Sequence, residues 1–133
     1  MTFIDTSVFL RFYLKDDEEK ASRCRRLFEA IIQGQQRAVT SSLVMAEIVW
    51  VLERTYRKSR QEIADFLSSI LAMPNLTVLD GPILEQALPL YTGTDIDFID
   101  AYHVALMEHH NIRDIYTYDR HYDRIKDIAS LRP

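Results

Sequence analysis

The sequence predicts an α/β fold with a short, mainly parallel central sheet of four to five strands flanked by helices. Two observations lead there. Short β-favouring apolar runs alternate with longer stretches of helical periodicity, as in parallel strands joined by helical crossovers. The chain has 133 residues, 47% hydrophobic and 27% charged, a size and composition suited to one domain with a core of its own. With only three glycines and four prolines there is little material for linkers, and no internal repeat is visible. Residues 1–133 are read as a single domain.

The elements can be taken in order. "TFID" is a short apolar run that stops at an acid and reads as a buried strand over residues 2–5. "TSVFLRFYL" suits a short helix capped by Thr6 or Ser7. "DEEKASRCRRLFEAIIQG" carries its acids first and its bases later, with Gly34 as a stop, which is the polarity a helix dipole favours. "RAVTSS" gives a second strand near 37–40, and Ser41 or Ser42 can cap the helix "LVMAEIVWVLERTY". "SRQE", Ser59 to Glu62, is a capping-box pattern for the helix "IADFLSSILAM". "LTVL" is a third strand. The helix "DGPILEQALPLY" follows, with Asp80 as cap and Pro82 in the first turn. "FIDAYHVALMEHH" predicts a helix starting near Asp97, "DIYTYD" a fourth strand ending at an acid, and "DIASL" a small edge strand.

Several function classes are excluded by composition. Cys24 is the only cysteine, so no intrachain disulfide can form, as expected of a cytoplasmic protein. The start, "MTFIDTSVFLRFYLK", has no basic n-region and reads as a strand and helix rather than a signal peptide. The longest clean apolar run is "IVWVL", far short of the roughly 20 residues that cross a bilayer, so a soluble protein without membrane contact is expected. The net charge of −4 argues against wrapping nucleic acid by bulk charge. Two basic clusters, Arg23, Arg25 and Arg26, and Arg54, Arg57, Lys58 and Arg60, read first as solvated helix faces.

Four acids stand in apolar company. Asp5 follows "TFI", Glu47 is the only charge in "LVMAEIVWVL", Asp100 lies inside "FIDAYHVAL", and Asp119 follows "IYTY". Each alone has a bland reading: a helix cap, an exposed edge of a buried helix, a first-turn acid favoured by the dipole, a turn aspartate. Together they suit one place. Asp5 and Asp119 are expected to end strands, at the sheet edge where α/β folds bind ligands. Glu47 lies about a turn into a helix that starts at that edge, and Asp100 lies in the first turn of another. Converging carboxylates without counter-charge would cost several kcal/mol. A hard divalent cation removes that cost, because Mg²⁺ prefers oxygen ligands, while the lone cysteine argues against soft metals. Asp97, three positions before Asp100, can share its helix face, and Asp95 reads as a loop acid.

These motifs resemble those of the PIN-domain ribonucleases, and specifically the VapC-type toxins of bacterial toxin–antitoxin pairs. "FIDTSVFL", "TSSLVMAEIVWVL", "IDFIDAYHVALMEHHNI" and "IYTYDRHYDRI" resemble the four family motifs in order over nearly the whole chain. The resemblance implies a single PIN-like nuclease domain and metal-dependent endonucleolytic cleavage of RNA. It makes Asp5, Glu47, Asp100 and Asp119 catalytic ligands of Mg²⁺ or Mn²⁺, with Asp97 binding or tuning a second ion. Thr6, Ser7 and Thr117 would orient carboxylates by hydrogen bonds. The substrate would be single-stranded or looped RNA, its bases stacking on rings such as Tyr13, Tyr118 or Tyr122. A cognate antitoxin and a second copy of the chain would be partners. His103 is expected to be a packing or rim residue.

Three rival readings differ in class. A phospho-acceptor receiver domain needs a lysine after a strand end, and Lys15, Lys20, Lys58 and Lys126 do not stand so. A PIN-fold RNA-processing nuclease without an antitoxin, and a non-catalytic metal- or RNA-binding module, remain as alternatives.

Overall fold

The apolar runs of the sequence become five short strands, and each but the last is followed by a helix. The computed structural model describes Met1–Pro133, which fall into two compact units, Met1–Gly81 and Pro82–Pro133. The first holds β1 (Thr2–Phe3), α1 (Thr6–Leu14), α2 (Glu18–Ile32), β2 (Ala38–Thr40), α3 (Ser42–Arg54), α4 (Arg60–Leu71) and β3 (Leu76–Val78). The second holds α5, which begins at the boundary (Gly81–Gly93), α6 (Phe98–His109), β4 (Asp114–Tyr116), a 3₁₀ helix (Arg120–Arg124) and β5 (Ala129–Leu131). The architecture is the expected α/β, with five strands and parallel pairing throughout: β1-β2-β3 in the first unit, β4-β5 in the second.

In the first unit, helix starts follow the chemistry of their caps. Asp17 accepts from the Lys20 N–H, Ser41 from the Val44 N–H, and Ser59 and Glu62 form the reciprocal capping box. The chain leaves α2 through Gly34 at φ +79°, a left-handed conformation that glycine adopts without steric cost. Met45, Ile48 and Leu52 of α3 and Ile63, Leu67 and Ile70 of α4 are fully buried, and their three-, four- and seven-residue spacings define one face of each helix. Phe28 of α2 packs against Phe9 and Phe12 of α1, with ring centroids 5.4 and 5.0 Å away.

One polar contact fixes the end of the first strand. Ile4 donates its N–H to the Val39 carbonyl at 2.9 Å, and its own carbonyl accepts from the Thr40 hydroxyl, also at 2.9 Å. Thr40 is fully buried, so this bond works in a dry environment. The residue immediately before Asp5 is therefore held through both of its backbone polar groups.

The structure corrects three local expectations. β1 ends at Phe3, so Asp5 lies beyond the strand, at the N-cap position of α1, in place of Thr6 or Ser7. β4 ends at Tyr116, and Asp119 instead heads the 3₁₀ helix. Asp80 precedes α5 with φ +63°, away from the extended backbone that capping residues take. In both strand cases one further backbone bond to the neighbouring strand, from Ile4 to Val39 and from Thr117 to Leu131, follows the last paired residue before the chain turns to a helix start. The small edge strand expected at "DIASL" is present as β5, beside β4. In the second unit Tyr91 meets Phe98 edge-on at 5.5 Å, joining the end of α5 to the start of α6. No helix is long and apolar enough to cross a membrane.

Thr40→Val keeps the volume of the buried side chain and removes its bond to Ile4. A loss of about 1–2 kcal/mol is expected, measured as a lower urea midpoint with an unchanged denaturant slope.

Candidate metal centre

The start of α6 sets the first side of the centre. Phe98, Ala101, Val104 and Ala105 are buried, which turns the helix so that Asp100 is half-buried at its rim. Asp97 occupies the N-cap position in extended conformation, yet its side chain makes no capping hydrogen bond. It is exposed.

The second side is the turn after β4. The Thr117 hydroxyl accepts from the Asp119 N–H at 2.9 Å, so Thr117 orients the main chain of Asp119 rather than its carboxylate. That carboxylate caps the 3₁₀ helix, accepting from the His121 N–H at 2.8 Å. The same oxygen lies 2.9 Å from His121 Nδ1. Arg132 ties the turn to β5, donating to the Thr117 carbonyl at 2.8 Å and reaching the Asp123 carboxylate at 3.2 Å.

Tyr122 joins the two sides. Its ring is only 4% exposed, and its hydroxyl donates to Asp100 Oδ1 at 2.8 Å while meeting His103 Nδ1 at 3.2 Å. Burial, the bond to Asp100 and the negative charges of Asp100 and Asp119 all push the phenol well above its ordinary range. It therefore stays protonated, a donor to Asp100, at neutral pH.

One ligand atom each from Asp100, Asp119 and His121 lies within 4.8 Å of the other two. Two carboxylates and an imidazole, open to solvent, suit a divalent cation whose remaining positions are filled by water. Asp97 is not among the three. Asp95 pairs with Arg124 at 3.0 Å, and that bond holds its carboxyl below the usual range.

Asp5 and Glu47 belong to the first unit. Asp5 is exposed, makes no capping bond to α1, and accepts from the Ser7 hydroxyl at 3.2 Å. Thr6 beside it is buried. Glu47 is exposed on α3, opposite the buried Met45, Ile48 and Leu52.

His121 and the role of Tyr122 were not legible in the sequence. Tyr122 was expected as a base-stacking ring and is instead a buried donor. Tyr13 lies 4.4 Å from the Phe66 ring and is half-buried. Tyr118 is 76% exposed. His103 sits at the rim, as expected. The one signal for His121 was its spacing: two residues after an acid in "YDRHYD", where an aspartate-headed turn brings the two side chains together.

An α/β fold with parallel strands and an acidic centre at a helix start and a turn describes a class of metal-binding α/β domains. The model of the PIN domain family matches residues 2–128, and the chain belongs to that family. A VapC ribonuclease of Aquifex aeolicus (strain VF5) is 26% identical over 125 residues, covering 94% of this chain and 92% of the relative. Mycobacterium tuberculosis VapC20, a Sarcin-Ricin loop cleaving toxin, aligns over 100% of both chains with 19% identity and a TM-score of 0.42. The resemblance to VapC-type toxins read from the motifs is supported by the family match and the Aquifex relative.

Tyr122→Phe preserves the ring and removes the hydroxyl that holds Asp100. A Mn²⁺ titration of the folded variant should show affinity reduced about tenfold, with little change in thermal midpoint.

Proposed function

We propose that the chain is a metal-dependent endoribonuclease that hydrolyses RNA phosphodiester bonds as the toxin of a toxin–antitoxin pair. The observation that carries this reading is the group of Asp100, Asp119 and His121 in a chain of the PIN family. The ribonuclease described for the Aquifex relative supports the choice of substrate.

Asp100 and Asp119 would hold the ion, Mg²⁺ or Mn²⁺, and the family resemblance adds Asp5 and Glu47 as ligands, directly or through water. Asp97 would bind or tune a second ion, a role its uncapped carboxylate suits. A divalent ion would offset the charge of the phosphodiester and lower the pKa of a water. The protein's own groups prepare for that. The Tyr122 hydroxyl donates to Asp100 Oδ1 and so orients that carboxylate. Thr117 fixes the backbone on which the Asp119 carboxylate turns, and Ser7 orients Asp5. The exposed ring of Tyr118, next to Asp119, is placed to stack on a base of single-stranded or looped RNA. The partners are a cognate antitoxin, with a basic side chain to fill the acidic group, and a second copy of this chain. The setting is the cytoplasm.

The test is cleavage of varied single-stranded and looped RNAs with Mg²⁺ or Mn²⁺, with EDTA as a control. Asp100→Asn and Asp5→Asn should each lower cleavage about 100-fold or more while leaving the fold intact. Retained metal-dependent cleavage in Asp5→Asn removes Asp5 from the centre. A folded wild-type chain that binds no divalent ion overturns the reading.

A further inference from the structure

We propose that His121 is a nitrogen ligand of the ion, so that the centre selects a first-row transition ion such as Mn²⁺ over Mg²⁺. This rests on the metal-dependent reading above and adds to it the identity of the ion.

The geometry carries the argument. His121 Nδ1 and Asp119 Oδ1 are 2.9 Å apart. Neighbouring ligands at about 2.1 Å from an octahedral ion stand about 3.0 Å apart, so the pair already has the spacing of two adjacent positions. The two side chains are also coupled through the backbone. Asp119 Oδ1 accepts from the His121 N–H at 2.8 Å, and the turn that makes this bond starts the 3₁₀ helix. The imidazole is thus carried on the same turn as the carboxylate. Asp100 brings a ligand atom within 4.8 Å of both.

The alternative role for His121 is a surface ion pair with Asp119. The two side chains are 52% and 41% exposed, and pairs this open contribute little. Such a pair is easily exchanged for two bonds to a divalent cation. In that exchange Nδ1 would turn from the Asp119 carboxylate to the ion. The remaining positions are open to water.

Ligand chemistry then decides which ion is preferred. Mg²⁺ is a hard cation that demands oxygen and keeps its waters. Imidazole suits first-row transition ions, and exchanging an oxygen ligand for nitrogen strengthens binding of Mn²⁺ and its heavier neighbours relative to Mg²⁺.

The experiment is Mn²⁺ binding by electron paramagnetic resonance, with Mg²⁺ as competitor, on wild type, His121→Ala, His121→Gln and Asp100→Asn. Pulsed spectra of bound Mn²⁺ read nitrogen coupling directly, without any cleavage assay. Wild type should show ¹⁴N coupling, and both His121 variants should lose it. In those variants Mn²⁺ affinity should fall about tenfold and Mg²⁺ affinity by less than about threefold. Bound Mn²⁺ without ¹⁴N coupling in wild type, or an equal fall for both ions, overturns the proposal. If Asp100→Asn then still abolishes Mn²⁺ binding, the metal centre stands and only the nitrogen ligand is lost. If wild type binds neither ion, both readings fail.

Discussion

The second unit is organised around a repulsion. Asp100 and Asp119 present carboxylate oxygens within 4.8 Å of each other. Like charges this close repel, less strongly than in a dry interior because Asp119 is exposed and Asp100 only half-buried. The surrounding residues act to soften it. Tyr122 donates to Asp100, and the His121 backbone and Thr117 hydroxyl fix Asp119. Arginine is spent nearby on other acids, Arg124 on Asp95 and Arg132 on Asp123. Neutral donors hold the two aspartates in place without cancelling their charge, and a cation is what completes such an arrangement.

The α-helices differ in whether the residue at the cap position bonds their first turn through its side chain. Asp17 and Ser41 bond to the first turns of their helices, and Ser59 does so in a full capping box. Asp5 and Asp97 stand at the same kind of position without a side-chain cap bond. A cap bond of this type is worth about 1 kcal/mol, and both aspartates forgo it. Both side chains are exposed, and Asp5 accepts from the Ser7 hydroxyl instead.

Much of the fold was legible because its signals are local. Ser59 and Glu62 specified a helix start through two reciprocal bonds, and Gly34 marked the end of α2. The helix beginning after Asp97 was legible for the same reason. What escaped notice depended on contacts across the chain. "TFID" and "DIYTYD" look like strands running up to their acids, but the chain turns to a helix start first, and β1 and β4 stop two and three residues short. Tyr122 looked like any exposed aromatic in a polar stretch. Its burial and its bond to Asp100, 22 positions earlier, leave no periodic trace. For His121 the sequence offers only its spacing from Asp119, which many surface turns share.

The centre's members are not equivalent as targets for substitution, because some also hold the local fold. Asp119 caps the 3₁₀ helix and sits in the group of three. Asparagine can still cap, so Asp119→Asn would keep the turn and remove the charge, whereas Asp119→Ala would remove both. Asp100 is different. It accepts from Tyr122, and an asparagine there can turn its amide so that a carbonyl still faces the phenol. Its effect then reports charge more cleanly than geometry. Asp97 has neither obligation, since it makes no cap bond to α6. Loss of its charge should even relieve repulsion with Asp100, three residues on. A variant at Asp97 that gains stability and loses ion binding would therefore separate the two effects: an acid kept against the interest of the fold is kept for what it binds.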